Sequence, residues 1–524
     1  DPAFPLPQLE VADPLAAWHA IAREHRRAFP GPVVGISGSA GKTSTKDLLA
    51  LLLGGAASGV AATEGNLNNH LGVPLTLTRL DPARHRVAVV EAGINTPGEM
   101  DALAAMIEPD VAIITLVGPA HIEALGSLEG VAREKSRLPA ATRPDGFALF
   151  TRETAAHVPF AELGVRRLVL ERADVVRPAE PPPDRAYFAV TQREGETVLA
   201  IAVGPPPPLA FTMPRVSEGM AQNAALAICA AWRMGVPRGE LQARLATWRP
   251  GALRGEVRRS GERLLYVDCY NANPASMADA LAAFHGLASA AEPRLYVLGG
   301  MEELGAQAPR HHRALGRSLA LRPDDRVLVT GPFASEVLAG LRDAGAPSGQ
   351  ACEIPDAAAA GPAVAGWRGA VFVKGSRRYR LEGALAAALA GLRQGDILIL
   401  SPSPEVHAPL LAGVLGARDP AFAFGTAGLQ GLRKSPVGNL VKALLELPAG
   451  RVTSLEVLGI LGLDVVRDHT GWTDSELEDV ETWFREAPFQ WGIDASHREL
   501  VLMSGYDLDA LEEGNPLAQP DAIG

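Results

Sequence analysis

Val33-Val34-Gly35-Ile36-Ser37-Gly38-Ser39-Ala40-Gly41-Lys42-Thr43-Ser44-Thr45-Lys46 is the stretch on which the reading of this chain turns. The run Val33 to Ile36 is short and apolar enough for a buried strand, and Thr45 to Leu53 continues with helical character. A glycine-rich turn lies between them. The strict phosphate-loop spacing asks for a glycine where Ile36 stands, so only the shorter form Gly38-x-x-Gly41-Lys42-Thr43 remains. Its strand-turn-helix setting still predicts an anion site. Glycines let backbone N–H groups turn toward a phosphate, and the helix N-terminus adds partial positive charge. Lys42 can neutralise phosphate oxygens while the Thr43 hydroxyl ligates Mg²⁺. Gly38, Ser39, Ala40, Gly41, Lys42, Thr43 and Ser44 are therefore the expected nucleotide contacts.

Outward from this stretch, short apolar runs alternate with amphipathic helical stretches, the pattern of parallel sheets with crossover helices. Val87 to Val90 and Val111 to Leu116 read as further strands, and proline-rich patches at Pro181 to Pro183 and Pro205 to Pro208 as excursions between strands. After Arg249-Pro250-Gly251 a second α/β series runs through Leu264 to Asp268, Leu295 to Leu298, Val327 to Val329 and Val371 to Val373. Beyond about Leu392 one apolar run, Ile397 to Leu400, precedes mainly amphipathic helical text. The expected fold class is α/β: a phosphate-loop parallel-sheet domain at 30–250 and a Rossmann-like domain at 251–393. A connecting segment at 1–29 precedes them, and a mostly helical module follows at 394–524.

A chain of 524 residues exceeds one ordinary core, which agrees with several domains. With 47% hydrophobic and 21% charged residues, wholesale disorder is excluded. The net charge of -11 argues against a general nucleic-acid or anionic-membrane surface. Cys229, Cys269 and Cys352 lie far apart without CxxC pairing, so neither a disulfide framework nor a zinc site is indicated. No apolar stretch approaches the ~18 residues of a membrane span, and Asp1-Pro2-Ala3-Phe4 lacks a signal peptide's basic region. A cytoplasmic protein is expected.

Gly35 to Lys46 resembles the nucleotide loop of the Mur ligases. Thr63-Glu64-Gly65-Asn66-Leu67-Asn68-Asn69-His70-Leu71-Gly72-Val73-Pro74 resembles the segment characteristic of that family's D-alanyl-D-alanine-adding branch. The resemblance continues through Glu91-Ala92-Gly93, Ala120-His121, Gly126-Ser127-Leu128-Glu129, Asp268-Cys269-Tyr270-Asn271-Ala272-Asn273-Pro274 and Val373-Lys374-Gly375-Ser376-Arg377. It spans roughly residues 10 to 390 and implies an ATP-dependent ligase that forms an amide through an acyl phosphate, with Mg²⁺.

By that resemblance Lys42, Glu91, His121 and Lys135 carry the chemistry, and Thr43, Glu91, His121 and Lys135 hold metal, Lys135 as a carbamate. Taken alone, Glu91 reads more readily as a solvated strand-end charge, and His121 equally as a structural histidine; a surface lysine is the other reading of Lys135. Asn223, at the opening of an Ala-rich helix, resembles the residue that meets adenine. Arg254, Tyr270, Asn271 and Asn273 complete the expected nucleotide contacts at the domain junction. Asn66, Asn69, Lys374, Ser376 and Arg377 are the implied substrate residues, the cations serving the incoming dipeptide carboxylate. Gly300 stands where the family usually has Asp.

The implied substrates are small molecules, a nucleotide-sugar peptide and a dipeptide, taken by a monomer. Only about thirty residues precede the first ligase strand, and Asp13 to Arg27 resembles the family's connecting helix. The expectation is therefore that the UDP-binding domain is lacking, with ATP binding kept and UDP-MurNAc-tripeptide affinity poor. A Mur-like ligase for a smaller acceptor is the alternative. The text from Gly395 to Pro402, Arg451 to Leu458 and Trp491 to Ala495 resembles the gamma subunit of exodeoxyribonuclease V. That resemblance admits a fusion of neighbouring genes, a helical adaptor, or a DNA-repair fragment as the rival function, with no catalysis assigned and nucleic acid met only there.

Overall fold

The apolar runs of the first half form a nine-stranded sheet. Its strands are β1 (Val33–Ser37), β2 (Val60–Ala62), β3 (Val87–Glu91), β4 (Val111–Ile114), β5 (Phe147–Thr151), β6 (Arg167–Arg172), β7 (Arg185–Arg193), β8 (Glu196–Ala202) and β9 (Leu209–Pro214). The spatial order is β2-β3-β1-β4-β5-β6-β7-β8-β9, with β8 and β9 running antiparallel to their neighbours. The computed structural model describes residues 10–385 apart from 177–180, 206, 261–262 and 348, together with residues 452–453 and 490–491.

β1 and β3 are buried along their whole length, and their side chains alternate between two cores. Val34, Ile36 and Val89 face one core, while Val33, Ala88 and Val90 face the other. A strand covered on both sides reads as continuous hydrophobic text, which is why Val33 to Ile36 was so legible. β1 lies between β3 and β4, where the chain's crossovers diverge to opposite sides. In open α/β sheets that reversal opens the ligand crevice at the strands' carboxyl ends.

A second, six-stranded sheet follows: β10 (Glu256–Ser260), β11 (Arg263–Asp268), β12 (Arg294–Gly299), β13 (Arg326–Thr330), β14 (Ala351–Glu353) and β15 (Ala370–Lys374). Its order is β10-β11-β15-β12-β13-β14, and only β10 pairs antiparallel. Phe284 packs among Tyr266, Tyr296 and Phe372 under this sheet. The α/β class read from the sequence is thus observed in both series. Both sheets belong to one compact unit, Asp1–Ala390; a second unit comprises Gly391–Gly524. In the second unit Val452–Thr453 pairs antiparallel with Gln490–Trp491. The strand expected at Ile397 to Leu400 and the helices expected over 394–524 lie outside the described residues.

Local chemistry moved several boundaries. The helix after the loop begins at Lys42 rather than Thr45, because Gly41 at φ 80° ends the turn immediately before it. β4 stops at Ile114, short of Leu116, because its next residues turn to hold the loop. Thr115 Oγ1 donates to Ala40 O at 2.5 Å and Ser39 N donates to Leu116 O at 2.8 Å. The Ala-rich helix runs Glu218–Arg233 and opens under Ser217, whose side chain accepts from Met220 N, so Asn223 sits in its second turn. The connecting helix Pro14–Ala28 is capped by Asp13 and anchored by buried Arg26, which reaches Asp110 at 2.7 Å. No helix among the described residues is long and apolar enough to cross a membrane.

Candidate active site

The loop between β1 and the helix Lys42–Leu52 is shaped by two glycines. At Gly38, φ 152°, a Cβ would lie 1.9 Å from Thr115 Oγ1; at Gly41, φ 80°, it would lie 2.3 Å from Asn223 Nδ2. Side chains are therefore excluded at both positions, and the backbone stays open to a ligand. Lys42 Nζ donates to Gly38 O at 2.9 Å, curling back over the loop. Desolvation holds the Lys42 ammonium below the usual lysine range, opposed by the nearby Glu91 charge.

The parallel register pairs Ile36 with Glu91, which sets Glu91 at the carboxyl end of β3 beside the loop. Glu91 is 1% exposed. Its Oε1 accepts from Thr43 Oγ1 at 3.2 Å and from Asn68 Nδ2 at 2.8 Å, while Oε2 is buried with no hydrogen-bond partner. An unpartnered buried carboxylate oxygen beside a threonine hydroxyl is the oxygen-donor chemistry a hard cation takes, so these residues fit Mg²⁺. Among the described residues no trio of His, Cys, Asp and Glu forms a metal cluster of their own.

Asn68 was missed by sequence reasoning, which chose its neighbours Asn66 and Asn69. The turn decides between them: Asn68 N bonds Asn66 O at 2.7 Å and Asn68 O accepts from Gly93 N at 2.7 Å, aiming the amide at Glu91. The glycine of Glu91-Ala92-Gly93 was the available signal, since a Cβ there would meet the Asn68 amide at 2.9 Å. Asn69 instead uses Oδ1 to accept from Leu71 N and Gly72 N at the start of the helix Gly72–Thr78.

Lys135, on the helix Leu128–Ala140, is 0% exposed, so the surface-lysine reading is corrected: the amphipathic helix turns it inward. Its Nζ has no hydrogen-bond partner. Burial first, then the Lys42 charge, lowers its pKa well below the lysine range. His121 starts a short helical turn and lies 2.5 Å, Nδ1 to Oε2, from Glu303 of the second sheet.

Second-sheet residues form the other wall of a cleft of about 590 Å³. Arg254 Nη2 donates to Thr43 Oγ1 at 3.2 Å while its guanidinium lies 3.8 Å over the Tyr270 ring. Asn273 Nδ2 donates to Ser39 O at 3.1 Å. Asn271 caps its own turn, accepting from Ala272 N at 2.8 Å. Ser44, Asn66, Asn223, Tyr270, Asn271 and Lys374 also line the cleft. His121, Lys135, Asn69, Ser376 and Arg377 are not among its lining residues. Lys374 is 1% exposed and donates to Asp268 Oδ2 at 2.6 Å and Asn271 O at 3.2 Å, so its charge is matched inside its own sheet. Ser376 N bonds Gly300 O, and Arg377 pairs with Glu382.

Comparison with known families finds the Mur ligase middle domain over residues 36–231 and the Mur ligase glutamate ligase domain over residues 253–403. The RecBCD enzyme subunit RecC fourth domain matches residues 434–514. The UDP-N-acetylmuramoyl-tripeptide--D-alanyl-D-alanine ligase of Escherichia coli is 31% identical over 327 residues, covering 62% of this chain and 70% of that one. Its counterpart from Mycobacterium tuberculosis is 30% identical over 402 residues, covering 74% and 73%. A solved MurF structure from Acinetobacter baumannii superposes with a TM-score of 0.64 at 26% identity, covering 73% of this chain and 82% of that one. The likeness runs through both sheets and the loop that carries Lys42, and the chain belongs to the Mur ligase family.

Proposed function

We propose that the chain joins D-alanyl-D-alanine to UDP-N-acetylmuramoyl-tripeptide with ATP, the reaction named for its relatives. The observation that carries this reading is the reach of Arg254 across the cleft to Thr43 Oγ1, with the phosphate loop on one wall and the second sheet on the other. The γ-phosphoryl group passes to the acceptor's terminal carboxylate, the dipeptide amine attacks the resulting acyl phosphate, and ADP and phosphate leave. No protein nucleophile is needed. Catalysis then rests on charge stabilisation by Lys42 and Arg254, on positioning, and on exclusion of water.

Mg²⁺ would be held by Thr43 and Glu91, with His121 and carbamoylated Lys135 at a second position, and would neutralise phosphate oxygens. Lys135 suits carbamoylation because burial and the Lys42 charge disfavour its ammonium, and the neutral amine is the form that adds CO₂ with loss of a proton. Asn223, against Gly41, and Asn271 serve the nucleotide, with Tyr270 and Asn273 at the junction; Asn66 and Lys374 serve substrate from within the cleft, and Asn69, Ser376 and Arg377 from outside its lining. Domain limits near 30, 250 and 393, a monomeric state and a cytoplasmic location belong to the same proposal. The test is phosphate release with ATP, acceptor and dipeptide, each omitted in turn. Release that needs all three supports the reading; release indifferent to the dipeptide overturns it.

The match at residues 434–514 favours a second reading for that segment alone, a RecC-like module without catalysis. Fluorescence anisotropy of the whole chain with duplex DNA at near-physiological salt checks it: tight binding supports the rival repair function, and none leaves the ligase reading alone.

A further inference from the structure

The two sheets meet where both backbones are strained. His121, beyond β4, has φ 55° and Glu303, beyond β12, has φ 62°. Left-handed geometry at a non-glycine residue costs on the order of 1 kcal/mol or more and persists only where its surroundings impose it. Here each strained residue contacts the other. His121 Nδ1 lies 2.5 Å from Glu303 Oε2, a close contact in which the ring N–H is not yet aligned as a hydrogen bond, and Glu123 N donates to Glu303 O at 3.3 Å. Gly305, at φ 52°, lets the chains approach so closely that a Cβ there would sit 3.1 Å from Glu123 Cα.

The loop bearing Glu303 is clamped from its own side. The Tyr379 ring fills a notch beside Gly299, Gly300 and Gly331, and a Cβ at Gly300 would lie 2.6 Å from its hydroxyl oxygen. Tyr379 hydrogen-bonds Glu302, and Arg378 Nη1 reaches the same carboxylate at 3.3 Å. Of two adjacent glutamates, Glu302 is tied to its own sheet and Glu303 crosses to the other. A histidine–carboxylate contact half exposed on the Glu303 side is worth little to stability alone, so strain at both partners points to a task beyond holding the fold.

We propose that Glu303 is a positioning residue for the ligation reaction: it accepts the Nδ1 proton of His121 and leaves the Nε2 lone pair as the imidazole's donor. This rests on the ligase reading above. A carboxylate on one ring nitrogen fixes the tautomer and orientation of the other. Because the carboxylate comes from the second sheet, His121 is correctly set only when the two halves are together.

The test is ¹⁵N–¹H NMR of ¹⁵N-histidine-labelled protein without nucleotide or metal, at a pH high enough that the imidazole is neutral, His121 being assigned from His121→Gln. The wild type is expected to show Nδ1 protonated and Nε2 bare. Glu303→Ala is expected to release the tautomer and lower kcat by about 10- to 100-fold with KM for ATP nearly unchanged. Glu303→Gln, whose amide oxygen still accepts from Nδ1–H, is expected to recover the tautomer and most of the rate. A wild-type His121 protonated on Nε2, or a folded Glu303→Ala with unchanged tautomer and kcat, overturns the proposal. Wild-type protein that binds ATP yet ligates nothing removes the ligase reading while the tautomer is still measured.

Discussion

The cleft's two walls are built differently. The wall at β1 is local: Gly38, Gly41, Lys42 and the turn after β4 satisfy one another through backbone bonds. The facing wall acts at a distance, with Arg254 reaching Thr43 across 211 positions of sequence and Asn273 reaching Ser39 across 234. On the proposed reading, binding phosphate is a property of one strand-loop-helix unit, whereas transferring it requires two sheets brought together. Substitutions on the first wall should abolish nucleotide binding; those on the second should cost turnover more than binding.

The largest effect is expected at Lys42. Lys42→Ala deletes the loop's own cation and should lower kcat/KM by about 10³-fold, the scale of losing a preorganised group that stabilises developing charge. Titration calorimetry with Mg-ATP should lose its heat as well. Heat unchanged from wild type would mean that the loop does not hold the nucleotide.

Next comes the buried Lys374 and its part-buried partner Asp268, under the second wall. Asp268→Ala leaves the Lys374 ammonium, 1% exposed, without its 2.6 Å partner. Breaking such a pair costs about 3 kcal/mol or more, whereas removing both charges is far milder. Urea unfolding should show that loss in Asp268→Ala and its partial recovery in Asp268→Ala with Lys374→Met. Equal loss in the single and double variants would mean that the pair is not what stabilises the wall.

Smaller still, Arg254→Lys keeps the charge but gives up the planar face on Tyr270 and the forked reach to Thr43. A fall of about tenfold in kcat with little change in ATP affinity is expected, measured by steady-state kinetics beside calorimetry. An affinity loss as large as the kcat loss would place Arg254 with the first wall.

The same division governs what the sequence revealed. The strands of both sheets were legible because burial on both faces writes them as continuous apolar runs, and the loop because glycine and lysine are chemically constrained there. Boundaries slipped where polar atoms served the loop: Thr115 and Leu116 left β4 to bind it, and Ser217 opened its helix before Asn223. Asn68 was hidden among like neighbours because only the turn selects which amide meets Glu91. Glu303 carried no local signal, since its partner lies 182 positions earlier and only packing joins them. The cationic type of Lys374 was informative for a substrate role, whereas its pairing with Asp268 is a tertiary fact that no local pattern writes.

The smallest expected effect, at Lys135, bears on why the fold tolerates a buried amine. Desolvation and the Lys42 charge lower its folded-state pKa well below 10.5. Between that lowered value and the unfolded chain's ordinary lysine value, the unfolded state binds a proton that the folded state does not. Stability therefore rises with pH through that window, and the full penalty applies below it. Lys135→Met keeps the length without the charge, so it should gain about 1 kcal/mol at neutral pH and flatten the rise toward alkaline pH, read by urea unfolding at several pH values. Bicarbonate should stabilise the wild type alone, because only a lysine can become a carbamate. Identical pH profiles in the two proteins would mean the amine carries no penalty. A gain in stability joined to lost turnover would instead show a group kept at a site where the fold is better off without it, which is how a residue retained for chemistry differs from one retained for packing.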